Sequence, residues 1–374
     1  MEKKNISQSK NTENFPLFIL TIYIILKPFY LFPSGGMQIA DIFLIVLFFS
    51  LIVSVKGIKI YDWATVLLLL LLFMTITIVS GLWTLITEDL RVLLPILFLL
   101  FNLILFLCVS HIVNTHPSAK KTILWAIIGS VLLQFILIPI SSTPTFRQSL
   151  FFNNPNQLGY WSVLCATIFL FLVQEEKLNK YIYIMFTGVV MILAGLSLSK
   201  AAIVSIFLLY FIYYSNRPIV GILFLISIIG TFLFAGEIEQ VSNVVDRLAD
   251  LGSAGDDNAS GRGYNRIWEW PEYAWLGNGE GALERFGEDH EIHSTMGTLF
   301  FSYGPIGLFI FLAIFIRFLA VKGFTSVIPF IPIFAYSLTH QGYRFSLFWL
   351  LLSLVSTYKY NQTSNTAEQR LKFN

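Results

Sequence analysis

Charge is what this chain has least of. Only 12% of its 374 residues are Asp, Glu, Lys or Arg, and 56% are hydrophobic. A soluble domain carries roughly a quarter charged residues, so the composition excludes an ordinary soluble fold and points to an integral membrane protein. The net charge is +2, too small for the basic surface that a nucleic-acid partner requires. Cysteine is nearly absent. Cys108 and Cys165 stand far apart inside apolar runs, which gives neither a disulfide framework nor a metal-ligand spacing. No small-residue cleavage site follows the first apolar run, so that run reads as a retained span and not as a signal peptide. The repeats that mark many transporters are not evident. Lys27, near the end of its span, is the one charge that this reading places inside the membrane.

What the chain does have is long apolar runs. A spanning helix needs about 20 mostly apolar residues. Twelve candidates fit, at 16–33, 38–55, 61–84, 92–113, 122–140, 157–173, 181–198, 201–216, 218–235, 299–320, 325–341 and 343–358. The expected fold class is therefore all-α, a polytopic membrane protein with about twelve transmembrane helices and one large helical external loop. The division is residues 1–235 for nine membrane helices, 236–298 for the loop, and 299–374 for three more helices and a tail. Basic residues collect on the inner side of a membrane. With both termini inside, fifteen of the Lys and Arg residues fall inside and eight outside, and four of those eight lie in the long loop. In a bacterium the loop is then periplasmic and both termini are cytoplasmic.

The loop gathers the chemistry. Residues 237–293 carry thirteen acids against four arginines. Glu237–Leu251 has helical apolar spacing, which suits an amphipathic helix on the membrane surface. Trp268, Trp270, Tyr273 and Trp275 fit either an interfacial aromatic belt or a stacking surface for sugar rings. Lys200 stands between two apolar runs with almost no loop to dilute it. It either meets a partner or an anionic ligand, or snorkels to the interface. His290 and His293 share the acidic loop without a third ligand that spacing identifies, so no metal site is expected.

Several pieces stand in a recognisable order. They are Asn154-Pro155-Asn156-Gln157-Leu158-Gly159, Ser199-Lys200-Ala201-Ala202, Ser260-Gly261-Arg262 with Trp268, Gly277–Gly281, and His293-Ser294 followed, after nine intervening residues, by Gly304-Pro305-Ile306-Gly307. Together they resemble the O-antigen ligases and the related O-antigen and capsular polysaccharide polymerases, over roughly residues 150–310. Lys200 stands where that family usually has arginine.

The resemblance implies an enzyme: a metal-independent, cofactor-free, inverting glycosyltransferase of the bacterial inner membrane. Its donor is an undecaprenyl-diphosphate-linked oligosaccharide. Membrane lipid and a chain-length regulator protein are the further partners implied. An acceptor hydroxyl needs a base, and imidazole titrates near ambient pH without help. His293 takes that role. A departing diphosphate needs fixed cations, for which Arg262 is the first candidate, then Arg266 and Lys200. Asn156, Trp268, Arg344 and His340 are further candidates for glycan or diphosphate contact. Gly304 and Gly307 are expected to let the chain pack tightly beneath His293. Glu288, Asp289 and Glu291 form a solvated face from which one acid orients His293. Four functions compete: a polymerase of repeat units, a ligase onto lipid A–core or protein, a transporter of the lipid-linked unit, and a structural or sensing membrane protein, against which the ordered motifs argue. The acid-rich loop favours the polymerase, because a ligase reads a phosphorylated core and asks for a cationic surface.

Overall fold

The computed structural model describes residues 2–32, 38–54, 57–141, 147–176, 178–214, 261–287 and 291–358. Among them every regular element is helical. The main helices, in chain order, are α1 (Glu2–Leu26), α2 (Ile39–Ser54), α3 (Trp63–Thr87), α4 (Leu94–Thr115), α5 (Ala119–Ile136), α6 (Pro155–Val173), α7 (Lys180–Ser197), α8 (Lys200–Tyr214), α9 (Thr295–Lys322), α10 (Phe330–Ser337) and α11 (Ser346–Thr357). Six of these stretches are long and apolar enough to cross a membrane, and four more apolar helices are shorter. The expected span at 218–235, the amphipathic helix at 237–251 and the acids Glu288 and Asp289 lie outside the described residues.

Two expected spans end differently. The first stops at Leu26 because Lys27 precedes Pro28, and the proline ring disfavours helical geometry at the residue before it. Lys27 therefore stands past the helix, paired with Asp41 at 2.5 Å. The run 325–341 is broken into a short turn at Phe324–Ser326 and the eight-residue α10. Lys27 is also not alone inside the expected spans. Asp41, Asp62, Arg317 and Arg344 fall within them as well, and the fold pairs these charges as Lys27–Asp41, Arg317–Asp62, the latter at 2.7 Å, and Arg344–Glu280.

The helices pack pairwise, α4 on α11, α1 on α2 and α5, α3 on α9, and α6 on α7. α6 is apolar on all sides and nearly all of it is buried, as a central helix must be. Its Gly159 lets it approach the α7–α8 elbow. A Cβ there would lie 2.8 Å from Ala202 Cβ and 2.8 Å from Ser197 Oγ. Two of the sequence motifs thus touch.

Contacts define two ends of the bundle. At one, Lys120 meets Glu175, Arg317 meets Asp62, and Lys322 Nζ donates to the last carbonyls of α11. At the other, Lys27 meets Asp41, Arg147 Nη2 donates to Asn156 Oδ1, and Arg91 meets Glu284. The described part of the island, 261–287 and 291–294, sits on this second end. It carries the short helices Arg266–Glu269 and Pro271–Leu276. Trp83 at the end of α3 donates its indole N–H to Gly277 O at 2.8 Å, and the Arg285 guanidinium stacks 4.5 Å from the Trp83 ring.

Candidate functional site

Gly304 shapes the floor of the site. Pro305 has no N–H to donate and disfavours helical geometry at the residue before it. Gly304 answers with φ 71° and ψ −179°, which bends α9. Its missing Cβ leaves room for the Trp275 carbonyl, which a Cβ would approach to 2.9 Å. Gly277 lies against the same bend, and Gly279 N donates to Ser302 O at 2.8 Å. Gly307 lies one turn on, where a Cβ would meet Tyr303 Cβ at 2.6 Å. The glycine-rich turn 277–281 is thereby pinned to α9, and it delivers Glu280 inward.

Glu280 is buried, and its Oε1 accepts the Tyr303 hydroxyl at 2.7 Å and the Tyr343 hydroxyl as well. Its Oε2 accepts from Arg344 Nη2. Arg344 also grips Glu291, Nη1 to Oε2 at 2.9 Å and Nη2 to Oε1 at 3.2 Å. Burial pulls the Arg344 guanidinium down to about 10, still well above ambient pH, and two carboxylates hold its proton. Burial raises the Glu291 carboxyl above its ordinary value, against the downward pull of Gln341 and of the Arg266 charge. Arg344 Nε–H is buried and has no acceptor among the described residues.

Ser294 caps α9, its hydroxyl accepting from Gly297 N at 3.1 Å. His293 therefore sits just before the helix begins. Its N–H donates to Arg262 O at 3.0 Å, and its Nδ1 lies 2.7 Å from Glu291 O. A carbonyl only accepts, so Nδ1 carries a proton and the neutral ring presents Nε2 as its basic atom.

His293 and Arg344 open onto one cavity of about 810 Å³. Asn156, His340, Lys27, Arg91, Glu280, Glu284 and Glu291 also line it, and Leu44 of α2 with Leu94, Leu97, Phe98 and Phe101 of α4 form an apolar wall. Asn156 Oδ1 accepts from Arg147, and its carbonyl accepts from the Tyr336 hydroxyl at 2.8 Å. The His340 ring stacks on Tyr336 with centroids 4.6 Å apart.

The other expected residues lie elsewhere. The Arg262 guanidinium donates to the Thr339 carbonyl and does not line the cavity. Arg266 is 1% exposed and sits under the site, close to Gly263 and to the small void beside Glu291. Lys200 opens α8 and is not part of the cavity wall. Trp268 and Trp275 are exposed, away from it. Glu291 is partly exposed, and its carboxylate turns to Arg344; the imidazole meets its backbone carbonyl instead. Sequence reasoning missed the Glu280–Arg344–Glu291 cluster. The signal was present, since Arg344 is a cation in an equally short loop between apolar runs, the argument applied to Lys200.

No protein-family model, curated protein or solved structure matches this chain.

Proposed function

We propose that this chain is a membrane glycosyltransferase that polymerises undecaprenyl-diphosphate-linked oligosaccharide repeat units. One observation carries the reading: an imidazole with Nε2 basic and a guanidinium share a single cavity whose far wall is apolar. Such a cavity suits a substrate that is sugar at one end and lipid at the other. The acceptor hydroxyl gives its proton to His293 Nε2 and attacks the donor's anomeric carbon. A new glycosidic C–O bond forms, and the C–O bond to the lipid diphosphate breaks from the opposite face. The diphosphate leaves with the electron pair, and configuration inverts. Arg344 takes the role first given to Arg262. Its guanidinium lines the cavity, where a departing phosphate would meet a fixed cation. Arg262 instead ties the island to the loop before α11.

In this reading the chain spans a bacterial inner membrane about twelve times, with both termini cytoplasmic and the cavity periplasmic. Polymerase is favoured over ligase by charge. Lys27, Arg91 and Arg344 face Asp41, Glu280, Glu284 and Glu291 around the cavity, which is no basin for a phosphorylated lipid A–core.

The test is full-length protein in nanodiscs supplied with lipid-linked repeat units. Wild type makes a ladder of long chains, and His293→Ala loses about 10²–10⁴ in rate while its melting temperature holds. Transfer only to added lipid A–core replaces the polymerase with a ligase. Transfer that survives in His293→Ala removes the imidazole from the chemistry.

A further inference from the structure

A second set of polar side chains lines the same cavity. Tyr30 N–H donates to Phe151 O at 3.0 Å, Asn153 Nδ2 donates to Phe32 O at 3.2 Å, and the Tyr30 ring packs on Phe152 with centroids 5.4 Å apart. The loop after α1 is thereby stitched to the loop before α6. Lys27, Tyr30, Asp41, Asn154 and Asn156 reach the cavity from these two loops, the start of α6 and the first turn of α2.

Each keeps hydrogen-bonding capacity to spare. Asn154 Oδ1 caps α6 by accepting from Gln157 N at 3.0 Å, and Asn156 Oδ1 accepts from Arg147. The Nδ2 group of each donates to none of the described residues, and the Tyr30 hydroxyl pairs with none. Lys27 spends one of its three N–H groups on Asp41. Asp41 accepts that bond and one from Gln38 N at 2.9 Å, which leaves half of the roughly four lone-pair sites of a carboxylate. Donors and acceptors thus stand together. Charge then selects between ligands. The Lys27 cation is balanced by Asp41, and the spare donors of Tyr30, Asn154 and Asn156 are neutral. A phosphate dianion only accepts, and it would face the Asp41 carboxylate. A sugar hydroxyl both donates and accepts, and carries no charge.

We propose that Lys27, Tyr30, Asp41, Asn154 and Asn156 form a subsite for an uncharged sugar residue of the glycan substrate, distinct in chemistry from the Arg344 cluster that meets the diphosphate. The assignment rests on the reading of this cavity as the place of glycosyl transfer. A site of matched donors and acceptors selects by hydroxyl pattern, because a sugar that lacks the right hydroxyl leaves them unpaired.

Three variants remove spare donors and keep the structural contacts. Asn154→Asp still caps α6, Asn156→Asp still accepts from Arg147, and Tyr30→Phe still packs on Phe152. Lys27 is left in place, because its loss would strand the Asp41 carboxylate. Full-length protein in nanodiscs is given the free oligosaccharide cut from the lipid-linked repeat unit, and saturation-transfer NMR reads its affinity. Inorganic pyrophosphate is the anionic control. Wild type is expected to bind the oligosaccharide, and each variant to bind it about threefold or more weakly at an unchanged melting temperature. KM for the lipid-linked unit rises in step, with little change in kcat. Equal affinity in wild type and all three variants overturns the subsite. So does a wild type that elongates chains without binding the free oligosaccharide, which leaves the polymerase reading standing. Loss of pyrophosphate binding in Tyr30→Phe, with the oligosaccharide unaffected, also overturns it. Oligosaccharide binding with the expected losses, in a protein that elongates nothing, keeps the subsite and removes the polymerase. Should the Asp variants fail to fold, Tyr30→Phe decides alone.

Discussion

At the scale of single residues, the two arginines offered by the sequence exchange importance. Arg262 donates from Nη1 to the Thr339 carbonyl. A lysine ammonium can keep that bond, so Arg262→Lys is the milder of the two changes. Arg344 uses both terminal nitrogens, on Glu280 and on both oxygens of Glu291. Its side chain is 23% exposed against 3% for Glu280. A point charge cannot hold two carboxylates in fixed planes. Arg344→Lys is therefore expected to cost about 1–3 kcal/mol of stability, since Glu280 keeps a weaker partner in a buried place. It is also expected to lower transfer more than Arg262→Lys does. Thermal unfolding in detergent and chain-length ladders measure the two effects. Equal losses from the two variants would remove Arg344 from the centre of the site.

At the scale of elements, the sequence was most legible where apolar runs are long. The helices from α3 to α7 and α9 fall within a few residues of their expected places, because about 20 apolar residues leave one economical conformation in lipid. Prolines spoiled two of the others. Pro28 ends α1 early, and the run before α11 is interrupted near Pro329. The glycines were legible as necessary but not as to their purpose. Gly159 is where α6 meets the α7–α8 elbow, a contact between residues about forty apart that no local pattern announces. Gly304 offers the sharper test. Its φ of 71° is a conformation that only glycine adopts at little cost, and a methyl group there would press on the Trp275 carbonyl. Gly304→Ala is expected to destabilise by about 1–3 kcal/mol. It also releases the turn that carries Glu280, so activity falls further than stability alone accounts for. A melting temperature equal to wild type would show that the bend in α9 is not required.

At the scale of the whole molecule, the residues that chemistry would use lie on one end and the purely structural ion pairs on the other. His293, Arg344, Glu280, Lys27 and Arg91 line one cavity, while Lys120–Glu175 and Arg317–Asp62 tie the far end. The sequence shows its charges gathered in one island between apolar runs. It could not foresee which charges would meet, because ion pairs such as Arg344–Glu280 join residues 64 apart through the fold. A one-sided site suits group transfer at a membrane face. A transporter instead needs its ionisable residues along a path between faces. The polarity makes a definite prediction for labelling. Cys108 and Cys165 are buried, so a membrane-impermeant maleimide should leave the wild-type chain unmodified in intact cells. Glu284→Cys places an exposed thiol at the cavity end, and Asn179→Cys places one at the opposite end, just before α7. Only the first is expected to label from outside, and both after the cells are opened. Labelling of both from outside would mean that the helices between them do not cross the bilayer. Labelling of Asn179→Cys alone would turn the cavity toward the cytoplasm, where a periplasmic polymerase has no use for it.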